Sequence, residues 1–323
     1  MTRGPDRRRL LQALGAAAGG LALPRSAAAA PLAYALQPSQ VAPGTWVVFG
    51  AREDFSRANG GAIVNCSIVD TGEGAVIVDT GSSARYGQAL RALAEQLTGK
   101  PVARVYVTHS HPDHILGAQA FAAESVASLP AVNEAVARDG DAFATNLYAL
   151  LGDWMRGTAA SVPGVALAGA SETIGGHDFV FVPLAGHTAA DLAILDRKTG
   201  VLFAGDIVFL DRALTTPQAR PAEWFASLDT LGQVSAALVV PGHGPAEPGR
   251  RAIEQTRDYL SWLVDSLTHA VDDGLDEIEA MALPIPDRFG GIALARHELA
   301  RSVVHLYPKL EAERLPLLSR RRG

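Results

Sequence analysis

The residues with the most chemistry in this chain are histidines. Nine are present, and five of them fall at three places that each directly follow an apolar run: His109, His111 and His114; His187; and His243. The first place is the run Thr108-His109-Ser110-His111-Pro112-Asp113-His114. Alternate side chains on an extended segment face the same way, so His109 and His111 can grip one ion together. Asp113 and His114 come where the chain turns into a helix, and they can reach a second ion. Neutral imidazole and carboxylate are donors that suit zinc. Asp206 is of the type that bridges two close ions in binuclear hydrolases. A single histidine reads as a core or surface residue; this pattern does not, because glycines 186, 205 and 242 stand beside His187, Asp206 and His243. Glycine there lets the backbone turn sharply and come close to a metal.

These residues need elements to carry them. Short β-branched runs predict strands at 46–50 and 63–69, the second containing Cys66. The turn Thr71-Gly72-Glu73-Gly74 leads to a buried strand at 75–78 that delivers Asp79. An amphipathic helix follows at 85–97, stopped by Gly99 and Pro101. The strand at 102–107 delivers the histidine run, and a helix is expected from Asp113 to Phe121. A strand at 126–129 and a helix from Asn133 to about Arg156 come next. Strands at 179–183, 192–196, 201–204 and 236–240 deliver His187, then Asp206, then His243, with a helix at 221–231. Helices at 250–273, 276–282 and 295–307 close the chain. Two blocks of strands with helices between and after them imply an α/β fold, a four-layer αββα sandwich. The key polar residues are expected just after strand ends, where α/β folds place their ligands.

In this order, Asp79, the T-H-S-H-P-D-H run, G-H-T, G-D and G-H resemble the motif set of the metallo-β-lactamase superfamily over about residues 45–245. The resemblance implies that His109, His111 and His187 hold a first zinc, that Asp113, His114 and His243 hold a second, and that Asp206 bridges them. It implies that Asp79 supports the ligand loops; by residue type alone Asp79 is equally a turn residue. The implied activity is that of a metal-dependent hydrolase with two Zn2+ as cofactors, iron being the other metal to consider. Two ions lower the pKa of a shared water, and Asp113 would orient that nucleophile and take its proton. No serine or cysteine nucleophile is required, so Ser67 and Ser110 are read as structural.

The resemblance also ranks the members. Lactamases of subclasses B1 and B2 carry cysteine where this chain has Asp206. Those of subclass B3 share H-x-H-x-D-H but lack the bridging aspartate. Flavodiiron proteins have glutamate at the place of His111. Esters, thioesters, lactones or amides are therefore the expected substrates; a subclass B3-like β-lactamase and an iron-dependent persulfide dioxygenase-like enzyme are the alternatives. The stretch Glu53-Asp54-Phe55-Ser56-Arg57-Ala58-Asn59-Gly60-Gly61, with Ile63-Val64-Asn65, resembles exported quinoprotein relay system zinc metallohydrolases. That implies a functional link to a quinoprotein dehydrogenase. Asn59-Gly60-Gly61 reads either as a flexible loop over the site or as a plain turn.

Residues 1–30 read as a twin-arginine-type signal peptide: Arg7-Arg8-Arg9, an apolar stretch from Leu10 to Leu23, and the small-residue run Ala27–Ala30. Export to the periplasm is the expected location, with cleavage near residue 30. Residues 31–249 are then the catalytic domain and 250–323 a helical C-terminal extension. The chain carries a net charge of −6; residues 1–30 hold five arginines and one aspartate, a surplus of +4, which leaves −10 on the remainder. An acidic protein is a poor partner for nucleic acid. The expected partner is a small-molecule substrate, with no nucleic acid and no integral membrane segment in the mature chain. The single cysteine, Cys66, leaves no internal disulfide and is expected to be buried. His177, His269, His297 and His305 lie outside any ligand pattern. Phe143, Tyr148, Trp154, Phe209 and Trp224 read as core residues or as pocket lining.

Overall fold

A computed structural model describes residues 32–314. The expected signal segment, residues 1–30, lies outside the described residues. The first sheet has seven strands in sequence order: β1 (Pro38–Ala42), β2 (Thr45–Val48), β3 (Cys66–Asp70), β4 (Ala75–Val78), β5 (Val102–Tyr106), β6 (Val126–Ser128) and β7 (Val165–Ala166). Its first four strands pair antiparallel and the pairs from β4 to β7 are parallel. The second sheet is built from β8 (Ser171–Ile174), β9 (His177–Leu184), β10 (Asp191–Asp196), β11 (Val201–Phe209) and β12 (Leu238–His243). Its order is β12-β11-β10-β9-β8, with only β11 and β12 parallel.

Three apolar clusters show how the layers stack. Val69, Val76, Val78 and Tyr106 of the first sheet meet Phe179, Ile194, Val201 and Phe203 of the second between the sheets. The outer face of the first sheet packs on helices α1 (Ala84–Thr98) and α3 (Pro130–Leu151) through residues such as Tyr86, Leu90, Val132 and Val136. The outer face of the second packs on α4 (Pro221–Gln233), α5 (Arg251–Asp272), α6 (Glu277–Met281) and α7 (Ala295–Arg314) through Trp224, Leu260, Leu263, Ala280 and Leu299. This is the expected αββα sandwich. The helices beyond residue 250 share the core of the second sheet. No helix among the described residues is long and apolar enough to cross a membrane.

Local chemistry sets the elements that carry the site. Ser83 caps α1 by accepting from the Tyr86 N–H at 3.1 Å, and Gly99 ends it in a left-handed conformation. The helix expected from Asp113 to Phe121 is only the single turn α2 (Pro112–Ile115), followed by a 3-10 turn at Ala118–Ala120. The reason is that the His114 carbonyl, which a longer helix would use, accepts from the Thr80 N–H at 2.9 Å and the Thr80 hydroxyl at 2.7 Å. That bond ties the histidine run to the loop after β4. The strand expected to end at Ala204 continues to Phe209, so Asp206 lies inside β11 rather than after it. The register shifts on both sides of Gly205 re-aim the strand at this point. Likewise His243 is the last residue of β12.

Candidate metal centre

All seven expected ligand residues come together and all are buried. His109, His111, His187 and Asp206 form one group of donor atoms, and Asp113, His114 and His243 form another. Asp206 joins the two. Its carboxylate oxygens lie 3.3 Å from His187 Nε2, 3.3 Å from His114 Nε2, 3.4 Å from His243 Nε2 and 4.0 Å from His109 Nε2. Asp113 Oδ2 lies 3.3 Å from His243 Nε2 and 3.7 Å from His114 Nε2.

Fixed partners set which nitrogen faces inward. His114 Nδ1 donates to Asp79 Oδ2 at 2.8 Å, and His243 Nδ1 donates to the Ile63 carbonyl at 2.8 Å. A carboxylate and a carbonyl can only accept, so both rings present an unprotonated Nε2 when neutral. The Thr108 hydroxyl donates to Asp79, which leaves its oxygen to accept from His109 Nδ1 at 3.0 Å. Asp79 therefore orients one histidine of each group, and it also accepts from the Thr108 N–H at 2.8 Å. It sits in a left-handed conformation, φ 62°, which aspartate tolerates better than most residues. Such outer contacts fix the ring orientation of metal-binding histidines.

Three of the inward atoms lack partners. His109 Nε2, His114 Nε2 and Asp206 Oδ1 are buried without a hydrogen bond. Left so, each costs about 1–3 kcal/mol. His187 Nε2 and His111 Nδ1 face each other at 2.8 Å, a spacing that either one N–H···N hydrogen bond or a shared cation satisfies. Burial pushes His109 and His187 down and brings His111 to about 4, so these rings are the neutral donors that metal binding requires. At His114 burial is outweighed by the charges of Asp206, Asp79 and Asp113, which hold its pKa up. His243 is raised against burial in the same way by Asp206 and Asp113. The field that favours a proton there favours any cation. Burial alone would raise both carboxylates, yet His114 and His243 hold Asp113 low, and His243, His114 and His187 hold Asp206 low. The residues present fit a two-metal centre.

Glycine makes the close approach possible. A Cβ on Gly242 would stand 1.8 Å from Asp206 Oδ1, and one on Gly186 would stand 2.3 Å from the Trp224 backbone. Gly242→Ala must therefore displace the carboxylate that joins the two groups. We expect zinc affinity, measured by competition with a chelating dye, to fall at least tenfold. Gly291→Ala, whose Cβ meets nothing within 4 Å, should leave it unchanged.

Several supporting residues carried weak sequence signals. Asn65 donates to the Pro241 carbonyl at 2.9 Å and the Gly244 carbonyl at 2.7 Å, clamping the loop around His243. Phe209 stacks on His243 with ring centres 5.4 Å apart, and Trp224 meets His187 edge-on at 5.2 Å. Both are core residues that also wall the site. Of the aromatic residues around α3, Phe143 lines the adjoining cavity, Tyr148 is exposed, and Trp154 packs on Tyr34 and donates to the Arg57 carbonyl. The loop at residues 53–61 is an ordered turn rather than an open flap: Asn59 Oδ1 accepts from the Ser56 and Gly61 N–H groups. It places Asp54 and Phe55 at the cavity. Among the other histidines, His177 is buried against Asp196 at 2.9 Å, His269 and His297 are exposed, and His305 is half-buried. Cys66 is buried and unpaired, as expected.

The cavity has a volume of about 210 Å³ and reaches His111, Asp113, Asp206 and His243. Arg212, Gln218 and Arg301 also line it, and none of them stands in a sequence motif.

Comparison with known proteins agrees with this geometry. A linear primary-alkylsulfatase of Pseudomonas sp. is 26% identical over 264 residues, covering 67% of this chain and 49% of the sulfatase. The chain thus spans about half the length of that relative. A metallo-beta-lactamase from Pontibacter korlensis superposes with a TM-score of 0.57 at 23% identity, covering 70% of this chain and 99% of that one. A metallo-beta-lactamase of Pseudomonas aeruginosa, solved in a mono-zinc form, gives 0.56 at 19% identity over 72% and 97% of the two chains. These structures show the same fold. The family model of the metallo-beta-lactamase superfamily matches residues 59–243, the stretch that supplies every residue of the two donor groups, and the chain belongs to that superfamily.

Proposed function

We propose that this chain is a binuclear zinc hydrolase that cleaves an ester, thioester, lactone or amide. The observation that carries the reading is the pair of donor groups joined at Asp206, with His109 Nε2, His114 Nε2 and Asp206 Oδ1 left without a hydrogen bond and a cavity beside them. Imidazole and carboxylate donors suit zinc, and a structural relative was solved with it. In this reading His109, His111 and His187 hold one ion, Asp113, His114 and His243 the other, and Asp206 both. When bound, the ions supply Lewis acidity, acidifying a water and polarising the oxygen of the scissile group.

The protein's own residues do the rest. Asp79 and Thr108 lock the histidine rings. Asp113 lines the cavity and stays ionised beside His114 and His243. A carboxylate held that low is a weak base, so it orients the attacking water by accepting its hydrogen bond. Phe55, Phe143 and Leu147 give the cavity an apolar side that limits water around the substrate. A sulfate ester is the second reading, favoured by the alkylsulfatase relative.

Turnover of 4-nitrophenyl esters, a thioester, a lactone, an alkyl sulfate and nitrocefin by zinc-loaded protein tests the reading. Ester-type turnover that stops with a chelator and returns with zinc is expected. One iron per chain, no zinc and no hydrolysis of any substrate would overturn it in favour of oxygenase chemistry. We further propose that the enzyme works outside the cytoplasm beside a quinoprotein dehydrogenase. Residues 7–30 and the stretch 53–65 support that placement. Fractionation of the native cell, with the protein recovered only from the cytoplasm, would contradict it.

A further inference from the structure

The cavity lining carries a charge arrangement that the metal centre does not explain. Arg212 follows β11 and is 2% exposed. Its Nη2 lies 3.2 Å from Glu298 Oε1, and its Nη1 donates to the Ala213 carbonyl at 2.7 Å. Arg301 Nη1 donates to the same Glu298 oxygen at 3.0 Å. Glu298 is fully buried, and both Arg212 Nε and Glu298 Oε2 lack a partner. Two guanidinium groups therefore share one carboxylate oxygen, and the buried Arg212 Nε is left without an acceptor. Asp54, which lines the same cavity as Asp113 and Asp206, directs Oδ2 to His297 at 3.0 Å.

A buried guanidinium N–H without an acceptor costs free energy that a ligand oxygen can recover. A guanidinium presents a fork of donors matched to a carboxylate or similar oxyanion. Phe55, Phe143 and Leu147 add an apolar part to the lining, and about 210 Å³ is small against the roughly 300–1,000 Å³ of drug-sized sites. Arg301 and Glu298 belong to α7, beyond the residues 59–243 that the family model covers. The C-terminal helix thus contributes to the site directly.

We propose that Arg301 and Arg212, set in place by Glu298, bind an oxyanion on the substrate, so that the enzyme selects small molecules carrying a carboxylate or sulfate group on a short apolar body. This rests on the hydrolase reading only in placing the substrate beside the metal residues. Arg301 and Arg212 set specificity; Glu298 acts through them.

The test uses the zinc-loaded full chain and two esters with the same leaving group, neutral 4-nitrophenyl butyrate and anionic mono-(4-nitrophenyl) succinate. The wild type should prefer the anionic ester. Arg301→Met should lower the ratio of anionic to neutral kcat/KM about tenfold, the scale of one charge-assisted hydrogen bond, mainly through KM. Arg301→Lys should restore part of it. Lys309→Met removes a charge from the exposed part of the same helix and should leave the ratio unchanged. Calorimetry with hexanoate, hexyl sulfate and 1-hexanol reads binding without turnover. Both anions, or one of them, should bind about tenfold more weakly to Arg301→Met, with the stronger of the two naming the oxyanion. Arg301-dependent anion binding without ester turnover would defeat the ester-hydrolase reading and leave the oxyanion wall standing. Turnover with an unchanged ratio, or anion affinity equal in wild type and Arg301→Met, would overturn the wall.

Discussion

Asp206→Ala is expected to reduce hydrolysis by about a thousandfold or more, because it removes the one carboxylate that approaches both donor groups. His187, His114 and His243 each lie within 3.4 Å of it. Its loss also removes the largest source of negative potential at His114 and His243, so the second group loses attraction for a cation as well as a donor. Metal content should fall to one ion or fewer per chain, while far-UV circular dichroism stays as in the wild type. The fold should survive because the β11 core around Asp206 is apolar and closely packed: Ala204, Ile207 and Val208 are all fully buried. Asp206→Asn keeps the shape and loses the charge, and should behave nearly as badly. Two ions and undiminished turnover in either variant would show that Asp206 bridges nothing.

Withdrawal of metal should have the second large effect, on stability. His109 Nε2, His114 Nε2 and Asp206 Oδ1 have no hydrogen-bond partner in the protein, so without ions the native state carries buried unpaired groups. A ligand present at a hundred times its dissociation constant stabilises the native state by about 2.7 kcal/mol per site. Each kcal/mol moves Tm by about 2–4 °C in a domain of this order of size. Dialysis against a strong chelator should therefore lower Tm by roughly 10 °C or more, and zinc should restore it. An equal Tm with and without chelator would mean that the donor groups hold no ion in the purified protein.

Much of this centre is legible in the sequence because each ligand follows an apolar strand and keeps local company that only a metal site explains. The alternation of His109 and His111, the turn at Pro112 and the glycines at 186 and 242 all bear on short-range geometry. What escaped is what depends on distance or on polarity. β1 and β8 are polar edge strands, Pro-Ser-Gln-Val-Ala and Ser-Glu-Thr-Ile, with no apolar alternation to mark them. The position of Asp206 within β11 depends on a register shift at Gly205 that pairing with β12 creates. Arg212 and Arg301 meet only through Glu298, which reads in sequence as one more surface charge of a polar helix and is buried in the fold. Asn65 carries no chemical pattern of its own in the sequence, and its clamp on residues 241–244 spans both sheets.

The most direct test of the two-metal centre is a count of ions. Wild-type protein saturated with zinc and then dialysed should hold two zinc ions per chain by mass spectrometry. The double variant His114→Ala/His243→Ala, which keeps His109, His111, His187 and Asp206 intact as the first group, should hold one. A wild type with one ion or fewer, or a double variant that still holds two, would contradict the assignment of these residues to two sites joined at Asp206.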